Sequence, residues 1–147
     1  MQTTLILLKP DTIERSLIGQ VISRLENKWL KIVGLKMMEL NDDLINEHYD
    51  FLMDKPFFPK LRAYMQRTPI VAIAAKGITA VPTVRNLTWA TNPAEALPGS
   101  IRGDYALTID ANIIHASDTP ENAEIELKRF FSNKDIFDYN KISDEVL

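Results

Sequence analysis

The chain has 147 residues, 46% of them hydrophobic and 25% charged, with a formal net charge of -3 and no cysteine. This composition suits one folded domain over residues 1–147 and excludes a disordered chain, while the missing cysteine excludes a disulfide framework, a thiol nucleophile and a thiolate metal site. The acidic balance argues against a specific nucleic-acid partner, whose footprint is a basic face. The longest apolar runs fall far short of the roughly 20 residues that span a bilayer. No signal segment is visible around the apolar stretch 5–8, so a cytoplasmic setting without membrane contact is expected.

In chain order, residues 3–8 read as a buried strand ending at Lys9-Pro10-Asp11, where proline favours a turn. Ile18, Val21, Ile22, Leu25 and Trp29 recur at the spacing of one helical face. Residues 32–40 read as a second strand, and Asn41-Asp42 can cap a helix bearing Leu44, Ile45, His48 and Leu52. Phe58, Leu61, Tyr64 and Met65 suggest a short helix, followed by a third strand at 70–75 buried on both faces. Thr79 is expected to cap a helix containing Val81, Pro82, Val84 and Leu87.

Residues 91–104 hold Pro93, Pro98, Gly99 and Gly103 and read as a long ordered loop, a kind of segment that is often functional. A fourth strand is expected over 105–109. The last helix opens at Asp118-Thr119-Pro120-Glu121 and buries Ala123, Leu127, Phe130 and Phe131. This order predicts an α+β sandwich, a ferredoxin-like βαββαβ arrangement in which helices cover a four-stranded antiparallel sheet.

The chain has two histidines. His48 shares a helix stripe with apolar residues and reads as a partly buried structural histidine. His115 leaves an apolar segment just before a helix start, and histidine is among the side chains that form covalent intermediates; by itself the position also suits a structural role. Glu126 sits at the edge of the last helix's buried stripe, where an unpaired charge is expensive. A carboxylate holding one ring nitrogen of His115 would fix the tautomer and free the other nitrogen as a nucleophile; the other reading is a rim glutamate in water. Lys9, Arg85 and Arg102 each adjoin a loop or helix end. Arginine can grip phosphate through two parallel bonds, although each arginine alone also suits a solvated surface. Phe57 and Phe58 cannot both face one core from a regular helix, which leaves one ring to stack on a base, or both to fill a loop core. Glu124 and Lys128 form an ordinary i, i+4 surface pair. Neither a P-loop nor a dinucleotide fingerprint is present, and no zinc or EF-hand spacing occurs.

Together these residues resemble the nucleoside diphosphate kinase family. The motifs that carry the resemblance run in order from Leu8-Lys9-Pro10-Asp11 through His48-Tyr49, Pro56-Phe57-Phe58, Ala90-Thr91-Asn92-Pro93-Ala94 and Pro98-Gly99-Ser100-Ile101-Arg102-Gly103-Asp104 to Asn112-Ile113-Ile114-His115-Ala116-Ser117-Asp118. The resemblance implies ping-pong transfer of the terminal phosphate, mainly from ATP, between nucleoside triphosphates and diphosphates through a phosphohistidine on His115. It implies that Glu126 orients the ring, with Ser117 beside both and Tyr49 near the transferred phosphate. Arg85, Thr91 and Arg102 would hold the remaining phosphates. Lys9 and Asn112 would contact the ribose hydroxyls, Lys9 also lying near the transferred group. Phe57 would stack on the base, with Leu61 and Ile109 lining the same slot.

Magnesium (Mg2+) is implied as a cofactor bridging the nucleotide's phosphates, with few or no protein ligands. A homo-oligomer is implied, hexamer favoured over tetramer. Ala116 and Trp89 stand where the family commonly has glycine, Lys55 for arginine, Lys76 for glutamate and Thr79 for asparagine. Trp89 and Ala116 are the features that would suit a catalytically weak nucleotide-binding scaffold of the same fold instead.

Overall fold

The computed structural model describes residues 1–89 and 91–145, apart from the side chain of Ser143; Ala90 of the matched motif lies outside the described residues. The apolar run after Thr4 becomes the centre of the molecule. Strand β1 (Gln2–Leu8) lies between β3 (Ile70–Gly77) and β4 (Ile114–Ala116), and β3 carries β2 (Lys31–Met38) on its far side. The order β2-β3-β1-β4 is antiparallel at every junction, with Leu7 opposite Ala72 on one side and His115 on the other.

Leu5, Ile6, Leu7 and Leu8 are all fully buried because helices cover both faces. On one face Ile6, Leu8 and Ile73 meet Val21 and Leu25 of α2 (Ile18–Asn27) and Val84 of α5 (Ala80–Thr88). On the other face Leu5, Leu7 and Ala72 meet Ile45 of α3 (Asp42–His48), Phe58 and Met65 of α4 (Phe58–Met65) and Phe130 of α7 (Pro120–Phe130). A one-residue slip of β1 would exchange its two apolar sets between unlike surroundings, so the register that aligns His115 is firmly specified. Short helices α1 (Pro10–Glu14) and α6 (Ile101–Tyr105) complete the set used below.

The antiparallel βαββαβ expectation holds, with five local corrections. Trp29 is not on the α2 stripe. The helix stops at Asn27, Trp29 takes φ +67°, and Leu30 N–H reaches Leu25 O while Trp29 N–H reaches Glu26 O. This is a Schellman stop; it buries Leu30 and leaves the indole 59% exposed. Leu52 lies in a separate 3-10 turn after α3.

Thr79 precedes α5, but its hydroxyl pairs with Thr83; Gln2 Oε1 accepts from Val81 N–H instead, at 3.1 Å. The 91–104 stretch is less loop than expected, holding a 3-10 turn at Pro93–Glu95 and the start of α6, which Ser100 caps by accepting from Gly103 N–H. Gly103 allows the loop to pass close, since a Cβ there would sit 1.9 Å from Leu97 O.

The largest correction concerns the fourth strand. Tyr105 closes α6, Leu107 and Ile109 are exposed, and the strand is Ile114–Ala116. The alternation of Tyr105, Leu107 and Ile109 imitates a strand. The residues the sheet buries are Ile113, Ile114 and Ala116.

Candidate active site

The site begins with an unfavourable turn. Ile113 is β-branched and fully buried, yet has φ +72°, a genuine outlier for such a residue. The Ile114 N–H bonds back to Asn112 O at 2.8 Å, so Ile113 is the centre of a γ-turn of the strained hand. Three bonds from the start of α1 hold it, and a fourth from α4 holds its anchor. Lys9 N–H and Thr12 Oγ1 donate to Ile113 O at 2.9 and 2.6 Å, Asp11 Oδ2 accepts from Ile113 N–H at 3.0 Å, and Tyr64 Oη donates to Asp11 Oδ1 at 2.5 Å. Strain of this kind persists only where surroundings over-determine it. Its effect is to bring Asn112 and His115 to one wall of a cleft.

His115 is the middle residue of β4, with its side chain partly open to that cleft. Its Nε2 lies 2.7 Å from Glu126 Oε2 on α7. Ser117 Oγ donates to the same oxygen at 3.5 Å. An ionised carboxylate only accepts, so Nε2 carries the proton and Nδ1 is left with a free lone pair. Tyr49 is buried alongside. Burial, then the nearby Glu126, pushes its phenol above the ordinary range, so it remains a neutral hydroxyl.

Cations surround this pair in a cleft of about 500 Å³ that also takes in Tyr49, Thr91 and Asn112. Lys9 Nζ donates to Asn112 Oδ1 at 2.7 Å, and Asn112 Nδ2 reaches Thr91 O at 3.3 Å. Burial, with Arg102 adding repulsion, lowers the Lys9 ammonium to about 8. Arg102 is 4% exposed and donates to the carbonyls of Asn112, Trp89 and Ile114 at 3.2, 2.9 and 2.6 Å. Burial, then Arg85, lowers its guanidinium to about 10. Arg85 Nη1 donates to Ala116 O at 3.3 Å. These groups are held by neutral carbonyls and an amide, so their charge remains available to an anion.

Trp89 holds the backbone shape that a glycine would favour at this position. It has φ +65° and ψ -160°, a region open essentially to glycine alone. Its carbonyl is one of the three that Arg102 holds.

A metal has two conceivable seats. Ring nitrogens of His48 and His115 and a Glu126 oxygen lie within 4.8 Å of one another, a donor set that would suit zinc rather than magnesium. However, Arg129 Nη1 lies 2.9 Å from His48 Nδ1, and a guanidinium only donates. That bond consumes the Nδ1 lone pair and leaves a proton on Nε2, so His48 has no nitrogen free for a metal. For magnesium, the carboxylates Asp50 and Asp118 lie on the cleft rim, and Asp118 already accepts from Asn122 Nδ2 at 2.7 Å. Such a rim fits an ion carried in with phosphate oxygens and water.

The structure thus gathers Lys9, Tyr49, Arg85, Thr91, Arg102, Asn112, His115 and Glu126 around one cleft, with Ser117 fully buried behind Glu126. Phe57, Leu61 and Ile109 lie outside its lining. Phe57 is half exposed at the start of α4, Phe58 is buried, and Ile109 is exposed on the loop that the Lys60–Asp110 pair ties to α4 at 3.4 Å. One ring in and one ring out is one of the arrangements the sequence allowed. The sequence alone marks no role for Asp11 or Arg129, and in it His48 reads as structural. Arg129 could have been found, since it follows Glu126 by three residues on the same helical face; the Asp11 staple has no local signal.

The nucleoside diphosphate kinase family model matches residues 2–136. A nucleoside diphosphate kinase from Parabacteroides distasonis is 48% identical over 139 residues, 95% of this chain and 91% of that one. One from Archaeoglobus fulgidus is 44% identical over 145 residues, 99% and 96% of the two chains. Among solved structures, a halophilic nucleoside diphosphate kinase from Halobacterium salinarum in complex with CDP superposes with TM-score 0.95 at 37% identity, covering 99% of this chain and 97% of that one. The apo enzyme from Encephalitozoon cuniculi gives 0.93 at 36% identity, covering 99% of each. With a histidine, a carboxylate and tethered cations already in one cleft, a match of this length in sequence and in fold means that the chain belongs to the nucleoside diphosphate kinase family.

Proposed function

We propose that the chain transfers the terminal phosphoryl group of a nucleoside triphosphate to a nucleoside diphosphate in two half-reactions, with His115 as the intermediate carrier. The observation that carries this reading is the 2.7 Å contact between His115 Nε2 and Glu126 Oε2 at the wall of a cation-lined cleft. In the first half-reaction the Nδ1 lone pair forms a P–N bond to the terminal phosphorus. The bridging P–O bond breaks, and its electrons leave on the nucleoside diphosphate. The Nε2 proton stays in place, and Glu126 offsets the charge that develops on the ring. In the second half-reaction a diphosphate oxygen attacks the phosphorus, and the P–N electrons return to Nδ1.

Phosphoryl transfer depends mostly on positioning and charge stabilisation. Arg85, Arg102 and Thr91 are assigned to the phosphates that do not move. Lys9 and Asn112 are assigned to the sugar hydroxyls, Lys9 also facing the transferred group and Tyr49 donating to it. Phe57, with Leu61 and Ile109, is assigned to the base. A ring platform accepts every base, since all have a π-face; the complex of the Halobacterium salinarum enzyme with CDP supports a nucleotide as the ligand. Magnesium arriving with the nucleotide supplies neutralisation of the phosphate oxygens.

We also read 1–147 as a single domain of a cytoplasmic homo-oligomer, a hexamer before a tetramer. No helix among the described residues is long and apolar enough to cross a membrane.

The test is a two-step label. The protein is mixed with magnesium and γ-labelled ATP, isolated, and given unlabelled GDP. Label that stays on the protein in alkali, is lost in acid and moves to GTP supports the relay. His115→Gln should fold and take up none. Label-free binding of ATP by the natural chain would refute the relay and favour a nucleotide-binding scaffold.

A further inference from the structure

His48 is a titratable residue of the cleft that these assignments leave without work. It closes α3, is 7% exposed, and faces the cleft. Its ring stands edge-to-face against His115, with centroids 4.8 Å apart and planes at 86°. Tyr49 and Phe130 pack on it in the same manner at 4.7 and 5.1 Å. Rings therefore pack against it on three sides.

Arg129 fixes the protons on this ring. Its Nη1 donates to His48 Nδ1 at 2.9 Å, and a neutral imidazole carries one N–H, so that hydrogen is on Nε2. This Nε2 is buried and has no hydrogen-bond partner among the described residues. Buried donors without an acceptor are uncommon in native structures and call for an explanation. The charged and titratable groups around the ring are Arg129 and Glu126 from α7, His115 from β4, Lys9 from the end of β1, and its chain neighbours Glu47 and Tyr49. Glu47 Oε1 lies 3.4 Å from Arg129 Nε, a charge contact without a hydrogen bond. Burial first, then the neighbouring His115, Arg129 and Lys9, pushes the imidazolium down to about 2, in agreement with a ring that stays neutral.

We propose that His48 is a further catalytic residue: a permanently neutral imidazole whose Nε2–H is reserved for an oxygen of the phosphoryl group while His115 carries it. The inference rests on the reading of His115 as the carrier. The acceptor missing from the resting protein is then the intermediate itself. A neutral donor is the suitable choice here. It stabilises the phosphoenzyme through a charge-assisted bond without adding another cation beside the protonated Nε2 of His115. Arg129 is the positioning residue that keeps the hydrogen on the correct nitrogen.

The experiment compares the natural protein with His48→Phe, which keeps the ring and removes the donor, and with His48→Asn, which restores an N–H. Each is mixed with magnesium and γ-labelled ATP, and the ratio of phosphoenzyme to free enzyme is read at fixed ATP and ADP. The loss of one hydrogen bond to a charged group predicts a roughly ten- to hundredfold lower ratio in His48→Phe. Partial recovery is expected in His48→Asn, with ADP affinity of the resting protein unchanged in both. An unchanged ratio in His48→Phe overturns the proposal, and so does an equal loss of ADP affinity.

Folding of the variants is not required for a second measurement. Nitrogen-15 spectra of the natural protein should place the His48 hydrogen on Nε2 and move its proton resonance downfield on phosphorylation. A hydrogen on Nδ1, or no movement, overturns the proposal equally. The two readings fail separately. If the natural protein never takes up label, the His115 relay is wrong; if it labels normally and His48→Phe matches it, only the role of His48 is wrong.

Discussion

His115 and Glu126 come from different elements, β4 and α7, and meet at 2.7 Å with Ser117 Oγ on the same carboxylate oxygen. A carboxylate can only accept, so it leaves Nδ1 unprotonated. An amide in its place could donate to Nε2 and drive the proton onto Nδ1. Glu126→Gln is therefore expected to lower kcat by on the order of 10²–10⁴-fold, as wrong-tautomer variants of histidine–carboxylate pairs do. The position of the imidazole proton can be read by nitrogen-15 spectroscopy, and a variant with natural kcat would contradict the tautomer argument.

Lys9 supplies a pH dependence. Burial and Arg102 lower it to about 8, so in the free protein it is charged below that value and neutral above it. Since kcat/KM reports ionisations of the free enzyme, it should fall as pH rises through about 8. Lys9→Arg should remove that limb, because a guanidinium remains charged; a limb that persists in this variant would assign it to another group. The stability consequence has the opposite slope. Between about 8 and the ordinary lysine value the unfolded chain binds more protons than the folded one, so this group's destabilising contribution is full below about 8 and fades above it.

The γ-turn at Ile113 depends on Asp11, which accepts from both Ile113 N–H and Tyr64 Oη. Asp11→Ala should cost about 1.5–3 kcal/mol, the usual scale for hydrogen bonds to a charged group. It should also lower kcat while the helical circular dichroism is unchanged, since the turn that aims His115 loses its staple. Chemical denaturation with parallel kinetics checks both. Natural stability in this variant would mean that Thr12 and Lys9 N–H hold the turn unaided.

Trp89 offers a clean measure of backbone strain. Trp89→Ala and Trp89→Gly lose the same ring and differ chiefly in whether φ +65° is comfortable. Alanine normally exceeds glycine in stability when both fit; here glycine should exceed alanine by about 1–2 kcal/mol. Denaturation midpoints of the two variants decide the matter, and the usual order would show that the backbone relaxes once the indole is gone.

Much of this molecule was legible because its periodicities were strong. Strands β1 and β3 are continuous apolar runs, and α7 announces itself through Thr119, Pro120 and Glu121. The cleft was legible through its chemistry, since the positions proposed to contact phosphate, Arg85 apart, fall on motifs in a fixed order. The misreadings share a cause. Trp29 and the 105–109 segment both display the correct local spacing, but a Schellman stop in one case and a capped short helix in the other override it. Pairing a short strand such as β4 is decided by β1, far away in sequence. The Asp11–Ile113 staple and the Arg129–His48 contact link residues 102 and 81 positions apart; nothing local marks the staple, and Arg129 is marked only by its place one turn after Glu126.

Arg102 joins the segments at Trp89, Asn112 and Ile114 through their carbonyls, and this bears on the order of events in a turnover. A relay of two half-reactions must empty its nucleotide seat midway while the protein still bears the group it has taken. A cation anchored by salt links would then be drawn toward its own carboxylate, and the seat would slacken at the moment of exchange. A guanidinium riveted to three neutral oxygens has no such rival. With Arg102 gripping phosphate as proposed, the mould for the first nucleotide would stand ready in the same shape for the second, its assembly done once, when the chain folds.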